Sequence, residues 1–275
     1  MTRLLSAIVL VSLLASPAAA QKFEPQVGQA GKDVIWVPTP DDVVERMLTM
    51  AQVKPGELVM DLGAGDGKIA IAAAKKFGAR AIGIEYNPDM VKHANANAQK
   101  AGVAGEGKGK ALIRHGDIFA TDFSKADVIT MYLLPALNMK LRPQILSMRP
   151  GTRVVSHSFT MEDWEADETS SVDGRRAYFW IVPANVTGGW VLELPNQKSE
   201  LAFEQKFQKI QGTVTLGPVQ AGLREPRLRG ADIYFAFVDA AGLHRDFAGR
   251  ISGGRMEGTF RDQNGAEGRW SATKK

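Results

Sequence analysis

The chain has 275 residues, 44% of them hydrophobic, with 28 glycines and no cysteine. That is enough for a sizeable core and, by length, two domains, and it excludes a disulfide framework, a thiolate nucleophile and a cysteine-held metal. The formal charge of +4 is spread along the chain and gives no nucleic-acid footprint, and none of His93, His115, His157 and His244 pairs at ligand spacing, so neither nucleic acid nor a metal is expected.

The N-terminus carries Arg3, then an apolar run over residues 4–15, then Ser16-Pro17-Ala18-Ala19-Ala20. A charged start, a short apolar stretch and an A-x-A site predict a signal peptide over residues 1–20, cleaved after Ala20. The protein is then periplasmic or secreted. The alternative is membrane contact through an uncleaved N-terminus, since the apolar run is short for a span.

Next comes Trp36-Val37-Pro38-Thr39-Pro40-Asp41-Asp42. Pro38 and Pro40 hold the backbone extended. Thr39 or Asp41 can cap the helix predicted over residues 43–51, whose apolar positions suit one face.

Residues 59–67 read as a strand closed by Asp61 and a turn built on Gly63, Gly65 and Gly67. An alanine-rich helix over residues 69–77 follows. Glycines let a ligand approach bare backbone, and the helix start offers N–H groups. A phosphate-cradling loop needs four residues between its first glycine and Gly-Lys, then Ser or Thr. Here three intervene and Ile69 follows Lys68, which excludes it. A dinucleotide fingerprint is weakened, because Lys68 stands where its third glycine belongs.

A second strand spans residues 81–85. Its terminal Glu85 sits where a ribose-binding carboxylate belongs, although a solvated strand-end glutamate reads the same way. Asn87 and Pro88 start a helix to about residue 101. A third strand covers 111–115, followed by Gly116 and Asp117, which can cap a turn. Residues 127–132 form a fourth strand ending in Tyr132, residues 137–148 a helix, and residues 153–157 and 178–182 two more strands. The alternation implies parallel βαβ units. Ligands then sit beyond the strands' carboxyl ends, where Gly63, Glu85, Asp117 and Tyr132 lie.

After residues 183–189 the helical pattern fades. Glycine recurs in a Gly-x-apolar element at Gly212, Gly249, Gly258 and Gly268, and Ser252-Gly253-Gly254 and Asn264-Gly265 mark hairpin turns. Residues 185–275 read as an antiparallel β-meander closed as a barrel or sandwich.

The D-x-G-x-G-x-G pattern of residues 61–67 resembles that of Rossmann-like S-adenosylmethionine (SAM) methyltransferases. Over residues 33–184 the likeness narrows. Trp36 to Pro40, the helix start Val43-Val44-Glu45-Arg46-Met47-Leu48, Tyr132-Leu133-Leu134-Pro135 and the strand ending His157-Ser158-Phe159 are similar to one family. It is the small protein-lysine methyltransferases that modify mitochondrial ATP synthase and the adenine nucleotide translocase, with their bacterial relatives closer still. The signal peptide and the β-rich tail depart from the mitochondrial enzymes.

The resemblance implies a class I α/β methyltransferase sheet over residues 21–184, with helices on both faces, and a smaller C-terminal β domain. It implies SAM as cofactor, held by Trp36, Pro38, Thr39, Asp61, Gly63, Gly65, Gly67, Glu85 and Asp117. Asp117 would face the adenine amino group, and the Trp36 segment would fold over the methionine end. The implied acceptor is a nitrogen, first a protein lysine. Tyr132 would orient the amine and His157 could act as a base, although both also read as structural residues. A small-molecule N- or O-methyltransferase, and an exported binding protein without catalysis, stand as alternatives.

Overall fold

The computed structural model describes residues 23–195, 197–239 and 241–275. The expected signal peptide lies outside them. Among the described residues no helix is long and apolar enough to cross a membrane.

The first sheet is built from β1 (Leu58–Leu62), β2 (Arg80–Glu85), β3 (Lys110–His115), β4 (Val128–Met131), β5 (Arg153–His157), β6 (Glu168–Val172) and β7 (Arg175–Ile181). Their order is β3-β2-β1-β4-β5-β7-β6. The first five run parallel, and β7 turns antiparallel to both β5 and β6. The edge strand β6, with its polar sequence, was not foreseen.

Helices α1 (Asp41–Met50), α2 (Lys68–Phe77), α3 (Pro88–Lys100) and α4 (Pro135–Leu146) cover this sheet. Side chains alternate across a strand, so each strand feeds two cores. Val59, Ala81, Val128 and Val155 pack with α1 and α2. Met60, Leu62, Ile82, Ile129 and Val154 pack with Leu141 and Ile145 of α4. Strand order reverses between β1 and β4, and the crevice at that point is where a ligand cavity belongs.

Two helix starts behave differently. Asn87 caps α3 as its sequence suggests, its side chain accepting from the amides of Asp89 (2.9 Å) and Met90 (3.2 Å). Neither Thr39 nor Asp41 caps α1. Its N-cap is Pro40, without a side-chain bond, because Thr39 turns to His157 and Asp41 pairs with Lys68.

The second sheet comprises β8 (Gly188–Leu194), β9 (Gln197–Lys206), β10 (Lys209–Leu216), β11 (Val219–Gly222), β12 (Arg224–Arg229), β13 (Asp232–Val238), β14 (His244–Ser252), β15 (Arg255–Asp262) and β16 (Glu267–Lys274). All neighbours pair antiparallel, in the order β11-β10-β9-β8-β16-β15-β14-β13-β12. The two ends of this order, β11 and β12, are joined by Leu223 alone, whose amide donates to Gly212 of β10 (2.8 Å). The sheet therefore curls into a nearly closed barrel. Phe235, Phe237, Phe247 and Trp270 fill it, with ring centroids 4.9–5.9 Å apart. Gly212 makes this closure possible, since a Cβ there would lie 2.4 Å from the Ala202 carbonyl and 3.0 Å from Leu223.

Candidate active site

One cavity opens at the carboxyl ends of β1, β2 and β4. Its lining includes Trp36, Pro38, Thr39, Asp61, Gly63, Gly65, Glu85, Asp117 and Tyr132, so most of the residues singled out from the sequence come together.

The floor is the glycine turn. Gly63, Gly65 and Gly67 have φ of +80°, +53° and +78°, a region that side chains other than glycine seldom occupy. Most N–H groups of the turn itself are already bonded. The amides of Gly63 and Ala64 donate to the Ile84 carbonyl (2.9 Å each), and that of Gly67 to the Ala64 carbonyl. Asp66 accepts from the amide of Lys68, at the start of α2. The turn is thus braced by its own bonds rather than poised to hold a phosphate.

Glu85 completes the brace. Its Oε2 accepts from the Gly65 amide and its Oε1 from the Asn87 amide, both at 2.9 Å. The carboxylate therefore positions two loops while still lining the cavity with its remaining lone pairs.

The roof is a strap ahead of α1. The Gly28 amide donates to the Trp36 carbonyl (2.8 Å) and the Trp36 amide to the Gln29 carbonyl (2.9 Å), folding residues 28–36 into a narrow hairpin. Trp36 rests on Gly65, where a Cβ would lie 2.5 Å from the indole Nε1. At the other end Lys32 reaches Asp117 (2.6 Å) and lies over the Tyr86 ring, 4.8 Å from its centroid. That pairing holds the Asp117 carboxyl below the usual range, first through the Lys32 bond and then through the Phe119 amide. Sequence reasoning missed Lys32 and Tyr86. The paired glycines at 28 and 31 were the available sign of a turn there.

Two expected residues stand elsewhere. Gly67 does not line the cavity. It caps α2 and lets that helix approach the sheet, since a Cβ would meet Ala94 and Ile113 at 3.1 Å. His157 is buried behind Tyr132, with ring centroids 4.0 Å apart and Thr39 Oγ1 3.2 Å from its Nδ1. Burial, aided by Arg175, lowers its pKa to about 4. It is neutral at pH 7, outside the cavity, and poorly placed as a base.

Asp61 is buried at the end of β1 and accepts from Thr130 Oγ1 (2.7 Å). Desolvation raises its pKa to about 7, helped by Asp66 and Glu85 and opposed by the Thr130 bond. With Asp33, Asp66, Glu85 and Asp117 it faces the cavity, against Lys32 and Lys68 alone among the described residues. A lining rich in carboxylates repels phosphate and suits a ligand with cationic sulfur and amine. The bare backbone at Gly65, the carboxylate at the end of β2 and this charge fit SAM.

Comparison with known proteins agrees. The family model described as the ANTKMT methyltransferase domain matches residues 61–168, ending before β8. A protein-lysine N-methyltransferase of Saccharolobus islandicus is 44% identical over 142 residues, covering 51% of this chain and 86% of that protein. The chain belongs to the same methyltransferase family as this relative. It is a SAM-dependent enzyme.

Mouse adenine nucleotide translocase lysine N-methyltransferase is 30% identical over 123 residues, covering 44% of this chain and 52% of that enzyme. This methyltransferase thus spans about half the length of its mouse relative. A solved structure from Salinibacter ruber, described as an RNA methyltransferase with S-adenosylhomocysteine, superposes with a TM-score of 0.51 at 46% identity. It covers 58% of this chain and 98% of that one.

Two outcomes test the site. Gly65→Ala should push Trp36 off the turn and weaken S-adenosylhomocysteine binding about tenfold by calorimetry; unchanged affinity would separate the strap from the site. Folded Asp61 keeps its proton to about pH 7, against 3.8 for the free group. The folded state therefore binds more protons in that window, and stability falls as pH rises through it. Melting curves of the wild type and Asp61→Asn should converge in acid and separate towards pH 8 in favour of Asn; parallel curves would contradict the shift.

Proposed function

We propose that this methyltransferase transfers the SAM methyl group to a protein lysine. The observation that carries this reading is the cavity mouth. Tyr132, Leu134, Ile35 and Val37 line it, and the last three remain exposed. An acceptor lysine ordinarily has a pKa of about 10.4 and must lose its proton before attack. An apolar entrance disfavours its charged form. The archaeal relative, named for lysine methylation, supports the same acceptor.

When bound, SAM supplies an electrophilic methyl on a sulfonium, so the difficult chemistry belongs to the cofactor. The protein's task is alignment. We assign the ribose hydroxyls to Glu85 and the adenine end to Asp117, which Lys32 would share or release. Asp61 and the Trp36 to Thr39 segment lie towards the methionine end. Tyr132, its ring backed by His157 and Phe159, orients the amine. His157 serves as support, pinned by Thr39.

An RNA acceptor is the second reading, favoured by the name of the Salinibacter ruber structure. RNA binding needs basic side chains along a phosphate track. Here Lys32 is already paired with Asp117, and the rim is apolar. We also place the protein outside the cytoplasm, on the pattern of residues 1–20.

With radiolabelled SAM, envelope protein should take up label at lysine, and total RNA should not; labelled RNA would overturn the acceptor. Tyr132→Phe should slow transfer about 10- to 100-fold while leaving S-adenosylhomocysteine affinity intact. N-terminal sequencing of periplasmic protein should begin at Gln21; full-length protein confined to the cytoplasm would refute export.

A further inference from the structure

The barrel lies outside the matched methyltransferase region, yet one of its hairpins grips the site. The segment after β5 carries Phe159, which lines the cavity and stacks on Tyr132 with centroids 6.0 Å apart. This segment is held from two sides. On the sheet side, Asn138 of α4 donates to the carbonyls of Phe159 (3.4 Å) and Thr160 (3.0 Å). Arg142 donates to the Met161 carbonyl (3.0 Å) and to Asp163 (2.6 Å).

On the other side stands the tip between β9 and β10. The Phe207 ring stacks on Trp164, with centroids 5.8 Å apart and planes at 21°, and the Arg142 guanidinium lies 5.2 Å from its centroid. Gln208 donates to the Glu165 carbonyl (2.8 Å), Lys209 pairs with Glu165 (2.6 Å) and Lys206 with Asp163 (3.3 Å). Trp164 is buried, and its carbonyl accepts from Trp180 of β7 (2.8 Å).

The segment after β5 also carries unusual backbone, as does the tip. Ser158, Glu162 and Phe207 have φ of +61°, +54° and +55°. At Phe207 the two-residue turn between β9 and β10 itself calls for this conformation; at Ser158 and Glu162 the surrounding contacts hold it. Gln205 braces the tip, donating to the Phe207 carbonyl (2.6 Å) and to the Ala184 carbonyl (2.8 Å).

We propose that the barrel is a positioning unit for methyl transfer, its Phe207 tip clamping residues 161–165 and so fixing Phe159 in the acceptor wall. Phe207, Lys209 and Glu165 are positioning residues, since none lines the cavity. The role rests on the cofactor and acceptor assignment above.

The full mature chain is tested with S-adenosylhomocysteine and with sinefungin, which carries an amine in place of the transferable methyl. Phe207→Ala and, should that variant fold poorly, Lys209→Glu should weaken sinefungin about fivefold and S-adenosylhomocysteine less than about twofold. Hydrogen exchange over residues 158–165 should quicken about tenfold, with residues 61–67 unaffected. Combining Lys209→Glu with Glu165→Lys should restore both readouts. Unchanged exchange, or equal weakening of both ligands, would overturn the clamp while leaving the cofactor site in place. A folded wild type that binds neither ligand would overturn the cofactor assignment and this role with it.

Discussion

An indole ring resting on a residue without a side chain holds this site together. Trp36 can press the Nε1 edge of its indole against the glycine turn only because position 65 has no Cβ. Gly65 adopts its left-handed backbone as only glycine readily does, and Glu85 fixes it there by accepting its amide. Glu85 is in place because β2 runs parallel beside β1 and ends one residue beyond its last pair, Leu62 with Ile84. Strap, turn and sheet are thus one mechanical unit. Loosening any of them opens the cavity to water and weakens every charge–charge interaction within it.

The electrostatics follow from the same geometry. A turn whose amides were free would attract phosphate. This one spends its amides on neighbouring carbonyls and carboxylates, and surrounds the cavity with acids. Asp61 is the extreme case, buried far enough that its proton stays on to about pH 7. A cationic ligand nearby would favour its ionised form. Cofactor binding and protonation are therefore coupled in this fold.

Much of this was legible in the chain because it depends on local pattern. Buried parallel strands must be apolar, turns with positive φ call for glycine, and Asn87 followed by Pro88 starts a helix. What escaped depends on partners distant in sequence. Lys32 meets Asp117 across 85 residues, and Arg46 of α1 reaches Ser170 of the unforeseen β6. Gly67 read as a ligand residue because the pattern does not distinguish a glycine that admits a ligand from one that admits a helix. Thr39 read as a cap because its true partner, His157, lies 118 residues on. The barrel's turns were visible in Gly253 and Gly265, but the docking of Phe207 on Trp164 was not, since nothing local marks it.

The strap and the glycine turn must act together for the cofactor to bind. The direct measurement is a calorimetric titration of the chain from Gln21 onward with S-adenosylhomocysteine, for the wild type and for Trp36→Ala. One-to-one micromolar binding to the wild type and a clear loss in the variant are expected. No binding in a folded wild-type sample, or equal affinity in both, would contradict that joint action.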